Sequence, residues 1–170
     1  VIEALCAYGE VMKILKTALT LLVVLLASVA WAGEGLTEKQ VESFYKKLGK
    51  LSNKGELREM AKFYHPDYEL VDEVSGPKPL RYNRVSYFKE AVALQARVSR
   101  WRFEYEITSI SVAPNGTSAE VVSVHTNTLE GGGKSQTSRT VQKATIISSE
   151  SGPLVRHTEV LESKLVSGGA

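Results

Sequence analysis

Phe63-Tyr64-His65-Pro66-Asp67-Tyr68-Glu69-Leu70-Val71-Asp72 is the stretch on which the fold turns. Ahead of and into it, Leu57, Met60, Ala61 and Tyr64 recur at helical spacing. His65-Pro66 stops that helix, because the residue before a proline is pushed out of the helical region. From Tyr68 the period changes to alternation, which predicts a short strand over residues 68–74, and Ser75-Gly-Pro-Lys-Pro79 then reads as a rigid loop. A helix handing over to a strand within a few residues places both element types in one domain.

Upstream, Thr37-Glu-Lys-Gln40 is a capping box, with Leu36 and Val41 placed as a hydrophobic staple. Val41, Phe44, Tyr45, Leu48 and Leu51 continue it as one amphipathic helix. Asn53-Lys-Gly-Glu56 repeats the capping logic and predicts the start of the second, shorter helix. Downstream, Asn83 can cap a third helix reaching about residue 98. Its apolar residues form two neighbouring stripes, Val85, Phe88, Val92 and Tyr87, Ala91, Leu94, Val98, so it is expected to be largely covered by a sheet.

From Trp101 onward the chain is β. Trp101, Phe103, Tyr105 and Ile107 alternate with polar residues, then Ile110 and Val112 take the opposite parity, which predicts a bulge near Thr108-Ser109. Pro114-Asn115-Gly116 is a hairpin turn, and Glu130-Gly-Gly-Gly133 and residues 149–153 are further turns. They delimit strands over residues 119–129, 135–147 and 154–165. Three N-terminal helices packed on a curved, mainly antiparallel sheet make an α+β domain.

Composition fits one globular domain: 170 residues, 43% hydrophobic and 24% charged. Lys and Arg number 21 against 19 Asp and Glu, a balance that gives no nucleic-acid footprint. Met12-Lys-Ile-Leu-Lys16 leads into an apolar run that ends at Ala30-Trp31-Ala32, the three parts of a secretory signal peptide. The uncharged run spans residues 17–33, short of the roughly 20 residues a membrane helix needs, so no stable membrane anchor is expected after cleavage. Cleavage after Ala32 leaves a single domain over residues 33–170, periplasmic or secreted. Residues 1–11 precede a methionine that already begins a complete leader, and are expected not to be made natively. Cys6, the one cysteine, lies among them, so thiol chemistry is not expected of the domain.

The element order and the residues 63–72 quoted above resemble the nuclear transport factor 2-like superfamily, which includes steroid isomerases and polyketide cyclases of the SnoaL-like type. The resemblance covers about residues 36–165. It implies a cone-shaped, cystatin-like roll with an interior pocket, and often a homodimer formed through the outer sheet face. Carried over without gaps from Val41, the family's catalytic carboxylate falls on Asp72. The tyrosine that stabilises the enolate falls on Leu48, which has no hydroxyl, and the assisting carboxylic acid, counted back from Gly152, falls near Ala144. A base without oxyanion donors lacks the largest electrostatic contribution to such catalysis, so steroid isomerase activity is not expected. Tyr45, one turn before Leu48, could substitute only in a reshaped pocket.

An open cone should draw its inner wall from Asp72, Tyr45, Tyr87 and one face of the long strands, and the same comparison puts Gln142, His157 and Glu159 on that wall. Asp72 as general base and His157 as acid would suit proton transfer in a cyclase, isomerase or dehydratase. The bland alternative is a satisfied hydrogen-bond network, or Glu159 facing water. His65, His125 and His157 sit on separate elements without close ligand spacing, so no metal site and no cofactor are expected, and His65 reads as a helix-end residue. Arg97, Arg100 and Arg102 bracket Trp101, which reads as a core tryptophan beside a solvated basic edge. The strand over residues 135–147 is polar on both faces. Either the upper cone holds water and a polar ligand, or this hairpin projects into solvent or pairs with another subunit. The leading reading is a protein that binds a small molecule or peptide; the rivals are a small enzyme and a structural part of an envelope assembly.

Overall fold

The computed structural model describes residues 35–168. The leader, its cleavage point and Cys6 lie outside the described residues. Helix α1, Glu38–Lys54, starts at the capping box: the Gln40 N–H donates to Thr37 Oγ1 at 3.3 Å, and the Thr37 N–H donates to Gln40 Oε1 at 2.8 Å. Its buried face is Val41, Phe44, Tyr45 and Leu48. It does not stop before Asn53. It runs on to Lys54 and ends at Gly55, whose φ of 70° only glycine adopts cheaply. The expected second capping box is therefore corrected: Asn53 belongs to α1, and its amide clasps Phe103, donating to the carbonyl and accepting from the N–H at 2.8 Å each.

A one-turn helix α2, Leu57–Met60, and a tight turn over Ala61–Phe63 lead into strand β1, Tyr64–Asp72. The strand begins four residues ahead of the expected position and contains Pro66. Proline is tolerated because ladder pairing with the neighbouring strand lapses between Tyr64 and Glu69, where its missing N–H is not needed. His65 accordingly lies in a strand rather than at a helix end. Strand β2, Leu80–Asn83, was not foreseen; it pairs antiparallel with β1. Asn83 then caps helix α3, Arg84–Gln95, accepting from the Ser86 N–H at 2.9 Å. This helix ends before the expected residue 98 and has no buried residue. Val85 is 78% exposed and Val92 49%, because only the Tyr87, Phe88 and Ala91 side meets the core.

The remaining strands are β3, Arg100–Val112; β4, Ser118–Gly131; β5, Lys134–Ile147; and β6, Leu154–Gly168. The sheet order is β2-β1-β6-β5-β4-β3, with only the β1 and β6 pair parallel. Thr108 is the extra residue of the bulge in β3. Along β6, Arg156, Leu161 and Val166 each lack a partner on β5. Such bulges bend a strand and increase its twist, and each one flips the faces of the residues beyond it. Repeated five residues apart, they curl the sheet around α1 and α3. The core gathers where these helices meet the sheet, on Val41, Tyr68, Val121 and Ile146.

Candidate functional site

A cavity of about 570 Å³ lies between the helices and the concave sheet face. That is within the range of small-molecule pockets, roughly 300–1,000 Å³. Tyr45, Tyr87, Asp72 and Gln142 all line it. The polar strand β5 turns Ser138, Thr140 and Gln142 toward it, which accounts for hydroxyl and amide groups where a dry core would put aliphatic ones. Leu48 and Ala144 line it too, so the two positions matched to the isomerase donors present only carbon.

His157 and Glu159 are absent from this wall. Arg156 is the cause: it is the first unpaired residue of β6, so parity flips there, and Thr158 and Val160 face inward instead. Outside, Glu159 meets Lys143 at 3.0 Å and His157 stands 3.9 Å from Glu69. The assignment of His157 as acid and of Glu159 as pocket residue is corrected accordingly. His65 lies apart from both, accepting from the Asp67 N–H at 3.1 Å.

Three tyrosines pack as a cluster at the floor. Tyr64 stacks on Tyr87 with ring centroids 5.8 Å apart, and Tyr68 meets both edge-on at 4.8 and 5.6 Å. Burial pushes the hydroxyls of Tyr64, Tyr68 and Tyr87 up, so all three remain protonated donors at neutral pH. Tyr45, on the α1 side, is pushed up to about 12 by burial, an effect that contact with Ser123 partly offsets.

His125 is the residue that counting along the family missed. Its signal was present in the chain: the hairpin sets it opposite Tyr105, whose parity points inward. Its Nε2 lies 2.9 Å from Ser123 Oγ, and the Phe103 ring meets it edge-on at 5.1 Å. Burial lowers its pKa to about 4, so at neutral pH the imidazole is uncharged.

Asp72 occupies the end of β1, where its Oδ1 accepts from the Val74 and Ser75 N–H groups at 3.1 and 2.9 Å. One carboxylate oxygen thus holds the turn into residues 73–79, and the other makes no hydrogen bond among the described residues. Trp101 is half-buried in the cavity wall and donates its Nε1–H to Asn127 Oδ1 at 3.2 Å. Arg100 and Arg102 point away and meet Glu130 and Glu104, while Arg97 lines the cavity. Formal charge is therefore confined to Asp72, Glu90 and Arg97, and the other polar lining groups are neutral hydroxyls, amides and one imidazole.

No protein-family model matches the chain, and no curated protein matches it. Solved structures do. A scytalone dehydratase-like protein from Novosphingobium aromaticivorans superposes with a TM-score of 0.62 at 13% identity, covering 77% of this chain and 85% of its own. A ketosteroid isomerase-like protein from Erwinia carotovora gives 0.58 at 14% identity, over 78% and 99%. The beta subunit of benzoate 1,2-dioxygenase from Burkholderia mallei gives 0.59 at 12%, over 75% and 91%. At such identities the likeness is one of fold. Helical lid, bulged sheet and hollow interior together are the nuclear transport factor 2-like cone, and that is the fold of this chain.

Proposed function

We propose that this is an exported protein that binds a small, largely uncharged ring compound in the cone. The observation that carries the reading is the lining: six tyrosines, Trp101 and Phe103 supply flat apolar surface, while neutral donors and acceptors are set among them. Burial of rings drives binding, and the few polar groups fix orientation. An imidazole whose pKa lies near 4 is a weak base at neutral pH, and Asp72 is half committed to its turn. Both facts favour holding a ligand over moving its protons. Native mass spectrometry of the protein from cells that export it tests this: a retained small molecule supports it, and a bare chain that takes up no ring compound opposes it. Export itself rests on the leader. N-terminal sequencing of the exported product should begin at Gly33, and a start within residues 1–11 would refute cleavage there.

A second reading, a dehydratase or isomerase, draws support from Asp72 lining a cavity whose tyrosine hydroxyls are protonated donors. Asp72 would take the proton and the tyrosines would hold the oxyanion. Asp72→Asn separates the readings. An enzyme loses about 10²- to 10⁴-fold in kcat, whereas a binding protein keeps its ligand affinity within about threefold, a change under 1 kcal/mol.

A further inference from the structure

A second concavity lies outside the cone, between α1 and the edge strand β3. Lys46, Lys50 and Lys54 border it along the helix, and the rings of Phe103 and Tyr105 border it on the strand side. These rings stack 28° from parallel with centroids 6.1 Å apart, so the strand side of the groove is apolar. The groove depends on Gly49. A Cβ there would stand 2.7 Å from Tyr105 Cε1, so any side chain would displace the ring. Glycine is a poor helix former, and nothing in the regular backbone of α1 requires it at this position. Its use here is the close approach of ring to helix. Asn53 fixes the same approach by its two bonds to the Phe103 backbone, so the groove is formed before anything occupies it.

The charge is also available. Lys54 has Glu56 at 3.7 Å, and the one carboxylate bordering the groove, Glu104, is held by Arg102. Among the described residues Lys46 and Lys50 have no ion-pair partner. Apolar rings and unpaired cations lining one groove complement one chemistry in particular, a ring that carries a negative group.

We propose that this groove is a binding site for a small aromatic anion, an aryl sulfonate, phosphate or carboxylate. The ring lies on Phe103 and Tyr105, and the anionic group sits between the Lys46 and Lys50 ammonium groups. Phe103 and Tyr105 also line the cone, so the site shares these two rings with it, but it adds Lys46, Lys50 and Lys54, which the cone lacks, and takes the opposite ligand class, charged rather than neutral.

The test is a titration of the protein with naphthalene-1-sulfonate, followed by amide chemical shifts, with uncharged naphthalene-1-methanol as control. Saturable shifts at Gly49, Lys50 and Asn53, which border the groove and not the cone, are expected with the sulfonate and not with the alcohol. In the exposed double variant Lys46→Gln/Lys50→Gln the affinity read at those amides should fall about fivefold to tenfold, the worth of two exposed ion pairs. Added salt should weaken it in the same direction. Shifts confined to the cone residues Thr140, Gln142 and Thr158, no saturation at the groove amides, or an unchanged affinity in the double variant would each overturn the proposal.

Discussion

His125 shows how one side chain carries the chemistry of its surroundings. Its folded-state pKa is near 4 against an ordinary 6.5, and the cause is burial. The folded form thus disfavours the protonated ring, while the unfolded chain takes up a proton near 6.5. The stabilisation is complete above pH 6.5 and is lost progressively as pH falls toward 4, up to about 3 kcal/mol. Urea titrations at pH 7 and pH 4 should show a loss of that order in the parent, and a distinctly smaller one in His125→Gln. Equal losses would mean that the ring is solvated. The residue was legible in principle, since Trp101, Phe103 and Tyr105 fix an inward parity and the hairpin transfers it across to His125. Positions counted along a distant family do not register it, because they carry no parity across the hairpin.

Between elements, the informative contact is the clasp of α1 on β3. Asn53 reads in the chain as a helix start; in the fold it is a late residue of a longer helix, and its amide occupies the backbone of an edge strand. Capping residues are chosen for polar reach to nearby backbone, so a contact 50 residues away carries no local signature. Asn53→Ala removes both bonds and should cost about 1–3 kcal/mol, read as a lowered melting temperature. Asn53→Asp, which keeps the acceptor and loses the donor, should fall between. The same distinction explains the strands. The bulge at Thr108 was legible because apolar parity switches across it. The three in β6 were not, because Arg156, Leu161 and Val166 interrupt a strand whose polar and apolar residues alternate poorly, and only pairing with β5 exposes them. His157 and Glu159 were misplaced for that reason alone. Similarly, the two apolar stripes of α3 identify a helix, yet Val85 and Val92 stay in water while Phe88 of the same stripe meets the core, since amphipathic pattern gives a periodicity and tertiary contact selects the covered side.

Residues 35–168 form a lid of helices on a sheet rolled by its own irregularities, and the order of strands within that sheet has a consequence in time. The final strand, Leu154–Gly168, lies between β1 and β5, near the middle of the sheet rather than at an edge. Until it emerges, β1 has only the four-residue β2 beside it. Pairings of such long range close slowly and late. A chain truncated after Gly152 should therefore lack cooperative unfolding by circular dichroism, and a native-like transition in it would refute this. A nascent polypeptide of this topology cannot complete its sheet until residues 154–168 have left the ribosome. Until then β1 and β5 have no strand between them and the wall of the cone stays open.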